Sequence, residues 1–411
     1  MSPRSAVTVS TGLLALFASI GPVSTDVFLP SLPSMRDAFG TDFAAVQLTL
    51  SVFMFGFAGG QLIFGPLSDR KGRRPVLLAT LVLYLVGSIA TTLAPDIGTM
   101  LAGRLFQAFG AAGPIVLARS IVRDLYEGPR AAIELGRMGL IVGLVPSFAP
   151  LVGGLLEAAI GWRASFALMV VFALIALSAV RFRLGETLKT RLAEPFTLAA
   201  VVGGFGLLLA NRRYRASLAL GSLGFGAIFA FISGSSLILQ EGYGIGSIAY
   251  GICFGLGAAS IMAGNFFGQR MTGRLGTGRM LRLGTSLMAI GGLGVLVLVV
   301  VSPHLPIRLG AAEVVAPYMV FVFGLGPVFP IAMMRAMEPF PERAGSASSL
   351  LGFVQLAFGA LIGIVIGHAL GRWPNAMPLA VILAVLGCGA VLVERLTAGA
   401  APGRRDGAAA E

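Results

Sequence analysis

The chain has 411 residues, of which 56% are hydrophobic and 12% charged, against about 45–50% apolar and about 25% charged in an ordinary soluble domain. A mean hydropathy of +0.90 excludes a water-soluble globular protein, and two cysteines with two histidines offer neither a disulfide framework nor a metal cluster. The net charge of +12 does not point to nucleic acid, because the basic residues sit in short loops between apolar runs.

A membrane-spanning helix takes about 20 apolar residues. Arg4 precedes a long apolar run with no A-x-A-like cleavage site, so the run reads as a retained first helix rather than a signal peptide. Hydropathy places spans near 9–31, 43–66, 76–95, 98–121, 135–159 and 163–181, then near 215–239, 248–269, 281–301, 313–334, 345–370 and 375–394. Between the two sets lies a linker, 182–214. Its apolar run 196–210 is too short to span and suits an interfacial or re-entrant segment. With the N-terminus inside, all Lys and Arg fall in cytoplasmic loops and tails except Arg36, Arg163, Arg308 and Arg372 outside and Arg104 within a helix. The positive-inside rule therefore supports six plus six spans with both termini cytoplasmic.

The expected fold is an all-α polytopic membrane protein. Twelve transmembrane helices form two pseudo-symmetric six-helix halves, 1–181 and 215–395, around a central cavity, with a cytoplasmic linker 182–214 and a tail 396–411. Phe64-Gly65 at the end of the second span recurs as Phe267-Gly268 at the end of the eighth, and two such halves enclosing a midplane site make a transporter rather than an enzyme. The 57 glycines, about twice the usual share, include small-xxx-small pairs such as Gly139/Gly143 and Gly251/Gly255 that let helices approach closely. No H-E-x-x-H, G-x-S-x-G or G-x-x-x-x-G-K-[ST] motif is present, which argues against an intramembrane enzyme and against ATP as the energy source.

Ionisable groups inside a span cost roughly 2.5–3.5 kcal/mol each on insertion scales, so each is a functional candidate. Asp26 and Arg104 are the two well inside helices. Each lies five or six residues from the same end of its span, roughly 8–9 Å deep, and the two can pair if the first and fourth helices adjoin. Desolvation favours a neutral Asp26 and a neighbouring guanidinium favours a charged one; a carboxyl balanced between them can take a proton on one side and release it on the other. A static salt bridge is the plainer alternative. Gln47, Gln107, Ser147 and Gln355 with Phe28 and Phe53 are candidate lining for a small amphipathic ligand.

The loop after the second span reads Gly65-Pro-Leu-Ser-Asp69-Arg70-Lys71-Gly72-Arg73-Arg74-Pro75. It resembles, without a gap, the signature loop of the major facilitator superfamily. Arg104-Leu-Phe-Gln107-Ala-Phe-Gly110 is similar to the R-x-x-Q-x-x-G motif of drug:proton antiporters, and Gly143-Leu-Val-Pro146-Ser-Phe-Ala-Pro150-Leu-Val-Gly153-Gly154 to their kinked antiporter helix. Pro150 after Ala149, with Asp26–Pro33, Gly161–Phe166 and Gly345–Gly352, resembles the bicyclomycin/chloramphenicol resistance subfamily. The resemblance implies proton-driven efflux of phenicols, bicyclomycin or sulfonamides from a bacterial inner membrane by a monomer, with no cofactor beyond the proton gradient. Export of an endogenous siderophore or peptide metabolite stays open. It further implies that Asp69, with Arg70 and Gly72, latches onto the positive N-terminus of the eleventh helix near Gly345-Ser346, and that Arg73 pairs with Asp124. In the second half Thr272 stands in the carboxylate's place, so one strong latch is expected rather than two.

Overall fold

The computed structural model describes residues 10–126, 128–188, 205–304, 306, 309–340 and 344–398, and most of the described residues are helical, with no strand among them. Apolar runs become helices because no water is available in hydrocarbon to satisfy a free backbone. In chain order these are α1 (Thr11–Asp26), α2 (Leu32–Phe39), α3 (Phe43–Lys71), α4 (Arg73–Thr92), α5 (Ile97–Leu125), α6 (Gly128–Ala159) and α7 (Arg163–Arg183). After the linker come α8 (Arg212–Ser236), α9 (Ser247–Val301), α10 (Ala312–Met337), α11 (Ala344–Arg372) and α12 (Met377–Ala398).

These helices make twelve crossings. The 55 residues of α9 would extend about 80 Å if straight, far beyond one bilayer. Gly276, at φ 76°, breaks it into two antiparallel spans, a conformation that glycine adopts without steric cost. α1 and α2 together form the first crossing, and they are not continuous. Expected as one span over 9–31, the segment stops at Asp26, passes through a 3-10 turn at Leu29–Ser31 and resumes at Leu32. The cause is local: Pro30 and Pro33 lack the amide hydrogens that would bond back to Asp26 O and Leu29 O.

The two halves repeat their packing. Gly87 and Gly110 bring α4 and α5 into backbone contact, at Gln107 and Tyr84, and Gly291 and Gly324 do the same for the second span of α9 against α10. α1 and α8 are the most enclosed crossings. Outward-facing apolar side chains such as Val86, Phe182 and Ile290 stay exposed, forming a surface suited to lipid. Residues 205–210 of the linker are helical, and Phe205 and Leu208 pack with Tyr214, Leu218 and Leu350 in a small core of their own. The rest of the 196–210 run, residues 196–204, and most of the tail lie outside the described residues, as do the side chains around Gly139 and Gly143.

Among the described residues, hydrogen bonds between the halves gather at one end of the bundle, where Arg36 Nη1 meets Glu241 Oε2 at 2.7 Å. Gln47 Nε2 donates to Ser233 Oγ at 3.0 Å and Ser51 Oγ to Ala360 O at 3.2 Å. Ser247 Oγ donates to Gly154 O at 3.3 Å. This is the Arg36 end; Asp69, Asp124 and Glu186 mark the opposite, Asp69 end.

Candidate functional site

Ending α1 at Asp26 puts this carboxyl at a helix break, 4% exposed. Donors from other helices serve the carbonyls of the break. Ser165 Oγ of α7 donates to Val27 O at 3.3 Å, Ser236 Oγ of α8 to Leu29 O at 2.8 Å, and Gln240 Nε2 to Pro30 O at 3.0 Å. From the second half, Tyr250 of α9 lies within electrostatic reach of Asp26, and its hydroxyl is 3.1 Å from Ser235 Oγ. Asp26 therefore sits where the two halves meet.

Arg104 is wholly buried, and it is not in ion-pair contact with Asp26. Its Nε donates to Thr49 O at 3.2 Å, and its Nη1 to Ser24 O at 3.0 Å and to Gln107 Oε1 at 2.7 Å. The guanidinium carbon lies 4.6 Å from the centre of the Phe28 ring and 4.3 Å from that of Phe53, with Phe166 at 5.9 Å, within the range of cation–π attraction. Arginine suits this place because its planar fork can serve several acceptors while its faces stack on rings. One cation thus ties the backbones of α1 and α3 to α5, while Nη2 is buried with no hydrogen-bond partner among the described residues. Gln107 passes the network on to Ser88 Oγ at 2.8 Å, and Tyr84 Oη meets Ser24 Oγ at 2.7 Å.

The expected lining residues do not all converge. Phe28, Phe53, Arg104 and Gln107 form one cluster. Gln47 instead lies in the helix contact between α3, α8 and α11, where Gly363 and Gly367 make room for it and its Oε1 has no hydrogen-bond partner among the described residues. Ser147 Oγ meets Met262 Sδ at 4.0 Å, and Gln355 packs against Gly221.

The glycine-rich stretch of α6 abuts both halves. Gly153 presses on Val27 O of the first helix, and Gly154 on Ser247 O of α9. Pro150 is buried and Pro146 half-buried. Gly251 and Gly255 of α9 approach Pro150 O and Ser147 O so closely that a methyl group would fall 2.8 and 2.9 Å from them. The glycines of α9 thus let its backbone close on that of α6 at these two carbonyls.

At the Asp69 end, Arg73 joins three elements. Its Nη1 lies 2.6 Å from Asp69 Oδ1 and its Nε 2.9 Å from Asp124 Oδ2, with Ser68 Oγ accepting from Nη1 at 2.6 Å. Gly72 turns the chain at φ 101° between α3 and α4, and Arg70 stands in the last turn of α3. The expected contact of Asp69 with Gly345-Ser346 falls where α11 begins, at residues whose side chains are not described.

Several residues of these networks escaped sequence reasoning. Glu186 caps α4 from 113 positions away, accepting from Arg73 N at 2.9 Å and Arg74 N at 3.3 Å. A glycine cap followed by two arginines, which oppose the helix dipole, signals the need for such an acceptor. Ser233, Ser235, Ser236 and Gln240 were legible as a polar cluster, Ser-Gly-Ser-Ser with Gln240, in an otherwise apolar span. Tyr250 carried no such signal.

Two six-helix halves meeting over a buried carboxyl, bound together at one end, define a membrane transporter rather than an enzyme. The chain belongs to the major facilitator superfamily, whose family model matches residues 12–364. It is 31% identical to an uncharacterized MFS-type transporter, YdgK, of Bacillus subtilis over 91% of each chain. It is 30% identical to a chloramphenicol resistance protein of Pseudomonas aeruginosa, covering 92% of this chain and 89% of that one. A bicyclomycin resistance protein homolog of Haemophilus influenzae is 28% identical, with 86% and 87% covered. Among solved structures, a POT family transporter in complex with 5-aminolevulinic acid superposes with a TM-score of 0.74 at 14% identity over 95% of both chains, a likeness of fold.

Proposed function

We propose that this protein exports small amphipathic drugs, phenicols among them, across the bacterial inner membrane in exchange for protons. The observation that carries the reading is the placement of Asp26, a buried carboxyl at a helix break, facing the other half and not neutralised by Arg104. Burying an unpaired carboxylate is costly, and a bound proton removes that charge; access to Asp26 from alternate sides then moves protons one way as substrate moves the other. Phe28 and Phe53, held by Arg104, supply flat apolar contacts, and Gln107 a polar one. The names of the chloramphenicol and bicyclomycin resistance relatives support the drug class. The concentration of Lys and Arg in the loops of the Asp69 end supports a cytoplasmic position for that end and for both termini. The transporter works as a monomer, with the proton gradient as its energy source.

Phenicol efflux from proteoliposomes under an imposed pH gradient tests this. The wild type is expected to export, and Asp26→Asn to bind phenicol yet lose gradient-driven export. Full export by Asp26→Asn would remove Asp26 as the proton carrier. No movement of phenicol by the folded wild type would refute the drug class.

A further inference from the structure

The first helix is broken where it meets α8, and α8 is irregular at the same level. At Ser236 it passes into a π-helical segment, Leu237–Gly242, a distortion found frequently at functional sites. Within it Gln240 Nε2 donates to Ser236 Oγ at 2.8 Å and to Pro30 O at 3.0 Å, and Ser236 Oγ donates onward to Leu29 O at 2.8 Å. With the amide hydrogen of Pro33 missing, Leu29 O keeps one short 3-10 bond, from Leu32 N, and takes Ser236 Oγ as a second donor. A short relay of hydrogen bonds therefore runs from a distorted helix of one half into the broken helix of the other, and each member orients the next.

We propose that Ser236 and Gln240 are positioning residues of the transport cycle: their relay onto Leu29 O and Pro30 O holds the Arg36 end closed, and it is released when that end opens. Opening there must part the first helix from α8. Water then replaces the relay at the two carbonyls, so the closed state is favoured by a modest bias rather than by a barrier. A net hydrogen bond in a protein corresponds to about a fivefold shift in such an equilibrium. The Arg36–Glu241 pair spans the same gap, but its side chains are 29% and 35% exposed, and ion pairs at that exposure contribute little. Because the break begins next to Asp26, releasing the relay also moves the carboxyl that the proposed function uses. The inference itself rests only on alternating access, not on proton coupling.

Hydrogen–deuterium exchange of the full chain in lipid nanodiscs, with export measured in parallel, tests the relay. Ser236→Ala removes the onward donor. Gln240→Met keeps the side-chain length at a half-buried position and removes the donor to Pro30 O, so it carries the test even where Ser236→Ala folds poorly. Each is expected to speed exchange of residues 27–40 and 237–246 about fivefold and to slow exchange of residues 66–74 at the Asp69 end, as a population moving between two states requires. Glu241→Gln is expected to change exchange less than twofold. Unchanged exchange in Gln240→Met, or faster exchange at both ends together, would overturn the proposal, the second by showing local loosening only. Wild-type export by Asp26→Asn would refute the proton role while leaving this exchange pattern to decide the relay.

Discussion

A methyl group on Gly153 has no room in this structure. Built on the α6 backbone, it lies 2.7 Å from the carbonyl carbon of Val27, closer still to the oxygen, and 3.4 Å from Pro30 Cδ. These are backbone and ring atoms of the break in the first helix, and they cannot rotate aside. Either α6 withdraws by about 1 Å, opening its contacts with α9 at Gly154 and Gly251, or the break moves and stretches the Ser165 bond to Val27 O, already 3.3 Å. Overpacking of this kind costs about 1–3 kcal/mol, and losing the hydrogen bond about 1 kcal/mol more. Gly153→Ala should thus disfavour the closed arrangement by about 2–4 kcal/mol, a shift of roughly 30- to 1000-fold in its population. Phenicol export in proteoliposomes is expected to fall at least tenfold, with faster hydrogen exchange over residues 27–40. Gly59→Ala is the control, since its methyl would meet Phe109 at 3.5 Å, an ordinary contact, and it should behave as the wild type. Wild-type export and wild-type exchange in Gly153→Ala would refute the reasoning, because a contact that tight tolerates no added carbon.

Two further outcomes follow from the networks at either end. Arg104→Lys keeps the charge but not the fork that serves Thr49 O, Ser24 O and Gln107 together; thermal unfolding in detergent should show a loss of about 2–4 kcal/mol, and export should fall at least tenfold. Glu186→Ala removes the acceptor at the start of α4 and should cost about 1 kcal/mol, the usual value of an N-terminal cap, read as a lowered unfolding temperature with Arg73 still paired to Asp124.

The crossings were legible because hydropathy is a one-dimensional signal and so is membrane depth. The same property explains what was missed. Asp26 and Arg104 lie at similar distances from their span ends, and the depth argument placed them level. It contained nothing about the direction each side chain takes around its helix, and Arg104 turns to Ser24 O and Thr49 O instead. The break after Asp26 was written in Pro30 and Pro33, yet an apolar run hides it from a hydropathy window. Gly276 likewise divides α9 by a single positive φ, which hydropathy registers only as a basic loop. Glu186 acts across 113 residues, and no local pattern encodes that partnership. At the Asp69 end Arg73 lies against Asp124, the partner that the family resemblance implied, and against Asp69 as well, for which that resemblance had implied a contact with the eleventh helix.

A carboxyl beside a broken helix can serve a metal cation as well as a proton, since unwound carbonyls make good ligands. What separates the two uses is whether those oxygens are already taken. Here the carbonyls of Val27, Leu29 and Pro30 each accept from a serine or glutamine side chain, so a cation would have to compete with those donors for them. A hard cation needs several oxygens around it at once, whereas a proton needs one. Two of those donors, Ser236 and Gln240, come from the other half, so the bonds that occupy the carbonyls beside Asp26 are also the ones that join the first helix to that half. On the proposed function, protonation of Asp26 and closure at the Arg36 end would therefore be linked through one short stretch, Asp26–Pro30.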